Sequence, residues 1–184
     1  MDQSEASARR ALLAQLYDAH VDAVYAYLAR RIGADLALDV LADVFEVAVA
    51  RLDRFDPVRG SERAWLFGIA TNLLHRHWRS EQRRLRAWRR ESGRGSVPGD
   101  PLLDVAGRLD AASDAAAVMA EIGDLPPEDR DLLLLIAWEE CSYAECAEIL
   151  DIPVGTVRSR LHRIRRQLRV AVEGHTRTTH EVTP

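Results

Sequence analysis

Between Pro153 and Arg169 the chain reads PVGTVRSRLHRIRRQLR, with six arginines and no acidic residue. Guanidinium groups at that density can neutralise phosphates, and they can donate paired hydrogen bonds to the edge of a guanine. Val154, Val157, Leu161, Ile164 and Leu168 recur at three- and four-residue steps and form one apolar stripe of a helix. Ser159, His162, Arg163 and Arg166 point the opposite way, with Arg158, Arg160, Arg165 and Arg169 on the flanks. A helix with one face in a core and arginines on the other suits a major groove. A merely solvated basic helix has the same pattern, so the elements that present this one matter.

Immediately upstream, SYAECAEIL (142–150) places Tyr143, Cys146, Ala147 and Leu150 on one face of a short packed helix. Ser142 is suited to cap it, because its hydroxyl can accept a bond from an orphan amide of the first turn. Asp151-Ile152-Pro153 then makes a tight connection. Aspartate tolerates left-handed backbone better than most residues, and Pro153 fits the start of the next helix. Short helix, three-residue turn and longer basic helix is the helix-turn-helix layout, whose second helix enters the major groove.

A second polar track lies further upstream. DRFDPVRGSERAWL (53–66) carries loop punctuation and leads to Ser61 as an N-cap, followed by a helix to about residue 90. Leu66, Ile69, Ala70 and Leu73 are its core positions, and beside them Trp65, Asn72, Arg76 and Arg79 share one narrow arc. Aromatic, amide and guanidinium groups in a row offer single-stranded nucleic acid a stacking surface, an edge reader and phosphate contacts. A core tryptophan beside solvated arginines fits the same spacing.

Two helices must support that track. The first, over 6–31, turns Leu13, Leu16, Tyr17, His20, Val24 and Leu28 inward, with His20 a boundary residue rather than a ligand. Gly33 ends it and Asp35 starts the second, which runs to about Leu52. Ala37, Leu41, Phe45, Ala48 and Leu52 form the second helix's core stripe. Asp39, Asp43 and Glu46 lie opposite, with Val40 and Val47 exposed at the edge. That acidic face is either solvated surface or a docking face for a basic helical partner.

The chain's 184 residues suit one ordinary domain or two small ones, and its wealth of alanine, leucine and arginine favours an all-α protein. The expected organisation is an N-terminal helical domain over 6–90 and a flexible linker over 91–112. A C-terminal domain over 113–173 contains the helix-turn-helix, and a disordered tail covers 174–184. In the C-terminal domain Leu125-Pro126-Pro127 breaks one helix and starts another, through the apolar run Leu132–Trp138. A net charge of −4 argues against a uniformly basic nucleic-acid coat. The charge is segregated instead: 76–94 and 158–169 are basic, while the first sixty residues and 100–131 lean acidic. Such asymmetry points to nucleic acid at two places and a basic partner elsewhere. Cys141 and Cys146 match neither a redox motif nor a zinc spacing and read as buried thiols. With no P-loop, dinucleotide turn, nucleophile elbow or metal-spaced cluster, neither enzymatic activity nor a cofactor or metal is expected. With neither a signal peptide nor an apolar run of spanning length, a cytoplasmic protein without direct membrane insertion is expected.

These segments together resemble the extracytoplasmic-function group of the bacterial RNA polymerase sigma-70 family. The C-terminal likeness spans LPPEDRDLLLL (125–135), SYAECAEIL (142–150) and IPVGTVRSRLHRIRRQL (152–168). The N-terminal likeness spans LDVLADVFEVAVARLDRFDP (38–57) and GSERAWLFGIATNLLHRHWRS (60–80). The resemblance implies an alternative sigma factor that binds core RNA polymerase and directs promoter-specific initiation. It would read the minus-thirty-five element as duplex and the minus-ten element as melted strand.

The resemblance also implies roles for residues. Asp39, Val40, Asp43, Val44 and Phe45 match the surface that docks on the clamp helices of the largest polymerase subunit. Arg59, Ser61, Trp65, Asn72, Arg76 and Arg79 match the region that captures the melted minus-ten strand. Arg158, Ser159, His162, Arg163 and Arg166 fall to minus-thirty-five bases or nearby phosphates, with Ser142, Tyr143, Thr156 and Arg160 serving the backbone. The linker would thread the RNA-exit path, with Asp100, Asp104, Asp110 and Asp114 mimicking nucleic acid there, and an anti-sigma factor is a further partner the likeness allows. Two departures stand out: Ala42 replaces a frequent glutamine, and Glu62 brings a carboxylate beside the base-capture loop. The alternative is a stand-alone helix-turn-helix regulator, which would bind promoter DNA unaided and have no use for segment 36–80.

Overall fold

One glycine folds the first fifty residues back on themselves. Gly33 holds φ at +82°, a conformation L side chains rarely adopt, so α1 (Gln3–Ile32) ends and α2 (Ala34–Arg51) begins without a loop. Its amide donates to Ala29 at 3.0 Å, and its carbonyl accepts from Ala37 at 3.1 Å. The second helix therefore starts ahead of Asp35, whose carboxylate sits in the first turn, where the helix dipole favours it. The computed structural model describes residues 3–58, 60–92 and 114–181. A 3-10 turn, Leu52–Arg54, follows α2, and α3 spans Glu62–Ser92. Then come α4 (Asp114–Asp124), α5 (Pro127–Ala137), α6 (Tyr143–Leu150) and α7 (Val154–Glu181). The described residues hold helices and turns and no strand, the all-α class expected. The chain divides into two units between Ser96 and Val97. Most of the expected linker lies outside the described residues, as does Arg59; its first two residues, 91 and 92, close α3.

In the first unit, α1, α2 and α3 pack around Leu16, Val24, Tyr27, Leu28, Leu41, Leu66, Phe67 and Leu74. Each such side chain contributes roughly 1.5–3 kcal/mol by leaving water. Tyr27 stacks on Phe67 with ring centroids 5.1 Å apart, and its hydroxyl bonds to Thr71 Oγ1 at 2.9 Å, so the buried polar atoms are satisfied. Three expectations change here. Val40 and Val44 are buried, whereas Phe45 is half-exposed and lies against Tyr17 at 4.8 Å. Tyr17 itself is at the rim rather than inside. On α3, Phe67 and Leu74 are core and Leu73 is only half-buried. On α2 the cause is that it touches both α1 and α3, so its buried arc is wider than a stripe against one neighbour and takes in Val40 and Val44.

In the second unit α7 packs on α4, α5 and α6. Leu132, Leu135, Cys146, Ile149, Val157, Leu161 and Ile164 are buried, and Leu168 joins Ile122, Leu134, Val118 and Met119. On α6 Cys146 is buried as expected, but Ile149 takes the buried place expected of Leu150, which is half-exposed. Arg130 is buried and donates through Nε to the Ile122 carbonyl at 3.1 Å, and through Nη2 to the carbonyls of Gly123 and Leu125. It thereby satisfies orphan acceptors at the end of α4 and opposes that helix's negative end. Finally, α7 continues through Gly174 to Glu181, where a disordered tail was expected from 174. Glycine weakens a helix interior by about 1 kcal/mol without breaking it, and the next proline is Pro184.

Candidate nucleic-acid interface

Local bonds shape the turn of the helix-turn-helix. Ser142 Oγ accepts from the Glu145 amide at 3.2 Å, and the Ser142 amide donates to Glu145 Oε2 at 2.8 Å, a reciprocal capping box. Asp151 closes α6 in left-handed backbone, φ 51° and ψ 49°. The Ile152 amide bonds to Ala147 at 3.0 Å, and the Pro153 carbonyl accepts from Thr156 and Val157. Pro153 thus stands just before α7 rather than within its first turn. These bonds aim α7 so that Val157, Leu161 and Ile164 are buried while Arg158, Ser159, His162, Arg163 and Arg166 are exposed.

Several residues of this face are held by neighbours. Ser159 Oγ donates to the Thr156 carbonyl at 3.0 Å, and Arg165 Nη2 reaches the Tyr143 hydroxyl at 3.5 Å, which joins α7 to α6. Arg163 Nη2 donates to Asp129 Oδ2 at 2.5 Å, and Arg160 Nε lies 4.0 Å from Asp129 Oδ1. Ser142 spends its hydroxyl on the cap, and Arg160 and Thr156 are half-buried. Asp129 is a residue the sequence reading missed. Its signal was faint: a carboxylate in the first turn of a helix, far from Arg163 along the chain.

In the first unit Ser61 caps α3, its Oγ accepting from the Ala64 amide at 3.1 Å. Trp65 is half-buried and stacks on Phe55 with centroids 5.1 Å apart, while Asn72, Arg76 and Arg79 are exposed. From Trp65 to Arg79 the track covers about 21 Å of helix. Asn72 Nδ2 donates to the Gly68 carbonyl at 2.9 Å and Arg79 Nε to that of His75 at 3.1 Å. Glu62 Oε2 lies 3.5 Å from His20 Nε2, so this carboxylate has a neighbour on α1. Arg76, His77, Arg79 and Arg83 line one wall of a groove of about 770 Å³, and Asp43 and Glu46 of α2 line the other.

The proposed docking face is only partly where it was expected. Asp39 and Asp43 are exposed, but Val40 and Val44 are core, Val40 reaching only the edge of that groove. Leu38, 59% exposed, sits on the same arc as Asp35, Asp39, Ala42 and Glu46 and was overlooked. Among the described residues no helix is long and apolar enough to cross a membrane. Among them no group of three or more His, Cys, Asp and Glu residues could hold a metal.

An all-helical chain of two units, one carrying a capped helix-turn-helix with an exposed arginine face, is the architecture of a DNA-binding transcription protein. Residues 16–84 match the family described as Sigma-70 region 2, and residues 115–168 match Sigma-70, region 4. The chain is 30% identical over 169 residues to the ECF RNA polymerase sigma factor SigL of Mycobacterium tuberculosis, covering 91% of this chain and 93% of that one. It is 31% identical to RNA polymerase sigma factor HrpL of Pseudomonas syringae over 162 residues, covering 86% of each. Its fold is similar to that of the sigma factor RpoE in complex with the anti-sigma factor NepR from Bartonella quintana. That match has a TM-score of 0.62 and 22% identity over 86% of this chain and 95% of that one. CnrH in complex with the cytosolic domain of CnrY is also similar, with a TM-score of 0.57 and 25% identity over 90% of each chain. The chain belongs to the extracytoplasmic-function group of RNA polymerase sigma factors. It is an alternative sigma factor that works with core RNA polymerase at promoter DNA to direct transcription initiation, and a stand-alone regulator is not favoured. Its family is one of non-catalytic DNA-recognition factors.

Proposed function

We infer that the two units divide promoter recognition between a duplex reader and a strand holder. The observation that carries this reading is that two exposed basic tracks, on α3 and α7, occupy separate units of one chain. Duplex contacts by Arg158, Ser159, His162, Arg163 and Arg166 set register and discriminate bases of the minus-thirty-five element. Ser142, Tyr143, Thr156 and Arg160 serve the phosphate backbone and the turn. Trp65, Asn72, Arg76 and Arg79, with Arg59 and Ser61 at the loop, hold the melted minus-ten strand and offset the cost of unpairing.

Polymerase docks on the exposed face of α2 through Asp39 and Asp43, joined by Leu38 in place of the buried valines, with Phe45 at the margin. The enzyme holds the two units at the promoter's spacing, so linked weak sites act as one strong one. The chain itself contributes no catalytic step, acts in the cytoplasm, passes its linker along the RNA-exit path, and is subject to an anti-sigma partner. Run-off transcription with purified core polymerase tests the whole: promoter-specific product should require this chain. Replacing Asp39 and Asp43 with arginine should abolish co-purification with core enzyme, and undiminished co-purification would remove the docking face.

A further inference from the structure

Asp129 lies in the first turn of α5, yet its carboxylate is only 4% exposed. A buried carboxylate needs compensation, and it has three sources of it: the positive end of α5, Arg163 at 2.5 Å and Arg160 at 4.0 Å. Both arginines belong to the DNA-facing helix, and both ion pairs run between helices rather than along one. Arg163 is 58% exposed despite the pair. A guanidinium has five N–H donors in a rigid fork, so anchoring through Nη2 leaves donors free for a further acceptor.

We propose that Asp129 is a positioning residue for promoter reading, which fixes the orientation of the Arg163 fork before DNA arrives. An unanchored arginine must lose rotamer freedom on binding and can satisfy itself on any phosphate; an anchored one has lost part of that freedom already. The carboxylate also repels phosphate, which biases the pair against backbone contacts and in favour of a base edge. Asp129 therefore acts on discrimination more than on affinity, and acts through Arg163. This rests on the proposed reading of α7 as the duplex reader.

The test is selection, by holoenzyme assembled from core polymerase and the full chain, from promoter fragments randomised across the minus-thirty-five element. Wild type should enrich a defined base pair under Arg163, and R163A should lose that preference. D129N should reduce it roughly tenfold, the scale of one bidentate contact, while other positions keep theirs and binding to scrambled duplex is unchanged or tighter. D129E, which retains the charge, should recover part of the preference. In the R163A background, D129N should change nothing further. The inference is overturned if D129N keeps the preference that R163A loses, or if it flattens every position alike, as a folding defect would. No enrichment by the wild-type chain would remove the reading of α7 itself, and the inference with it.

Discussion

On α7, Arg163 reaches a buried carboxylate of α5 and Arg165 reaches the Tyr143 hydroxyl of α6, whereas on α3 Asn72 and Arg79 bond to carbonyls one turn back on their own helix. Both helices expose arginines, and wheel position alone does not separate them. Bonds across helices restrict a side chain to the geometry of the packed unit, which suits a target as regular as a duplex groove. Bonds within one helix can be exchanged for contacts to nucleic acid without disturbing packing, which suits a melted strand of variable path. The difference teaches that a basic face is characterised less by its charge than by what holds it.

The comparison breaks first if the α7 stripe is removed. Leu161→Ala empties a fully buried position and should destabilise the second unit by about 2–5 kcal/mol while the first unit's denaturation is unaltered. A single, equally shifted transition for both units would contradict their independence. Arg163→Ala should then lower discrimination by about 1–3 kcal/mol if the contact is to a base. Equal losses on specific and scrambled duplex would make it a phosphate contact.

A smaller change sharpens the role of the turn. Ser142→Ala deletes the capping box and should reduce stability by about 1 kcal/mol, read as a lower melting temperature with base preference retained. Altered preference would show that Ser142 meets a base rather than the backbone. The mildest effect is expected on α3. Asn72→Ala forfeits an exposed side chain bonded only to its own helix, so folding should change by less than about 0.5 kcal/mol. Promoter opening, followed by permanganate reactivity of the bubble, should fall while duplex binding is spared. Unchanged reactivity would take Asn72 out of the strand track.

Much of this was legible beforehand because it is local. The Ser142 cap, the left-handed Asp151, the Ser61 cap and the α7 stripe each depend on residues within four positions of one another. What went unread depends on neighbours distant in the chain. Val44 is core and Phe45 marginal because two helices, not one, cover α2. Glu62 reads as a bare carboxylate in the sequence, whereas α1 brings His20 to 3.5 Å from it. The helix continues past Gly174, where a disordered tail is expected, since glycine only weakens a helix.

The sequence by itself determined the helices, their caps and turns, and which faces would be basic, since hydrogen bonding and amphipathic spacing act over three or four residues. Tertiary structure alone decided how the arginine face is held. Asp129 and Arg163 are 34 residues apart, and only the packing of α7 on α5 brings carboxylate to guanidinium. Pairing of that kind depends on a helix's rotation about its own axis, a quantity set by the whole core and written in no short segment.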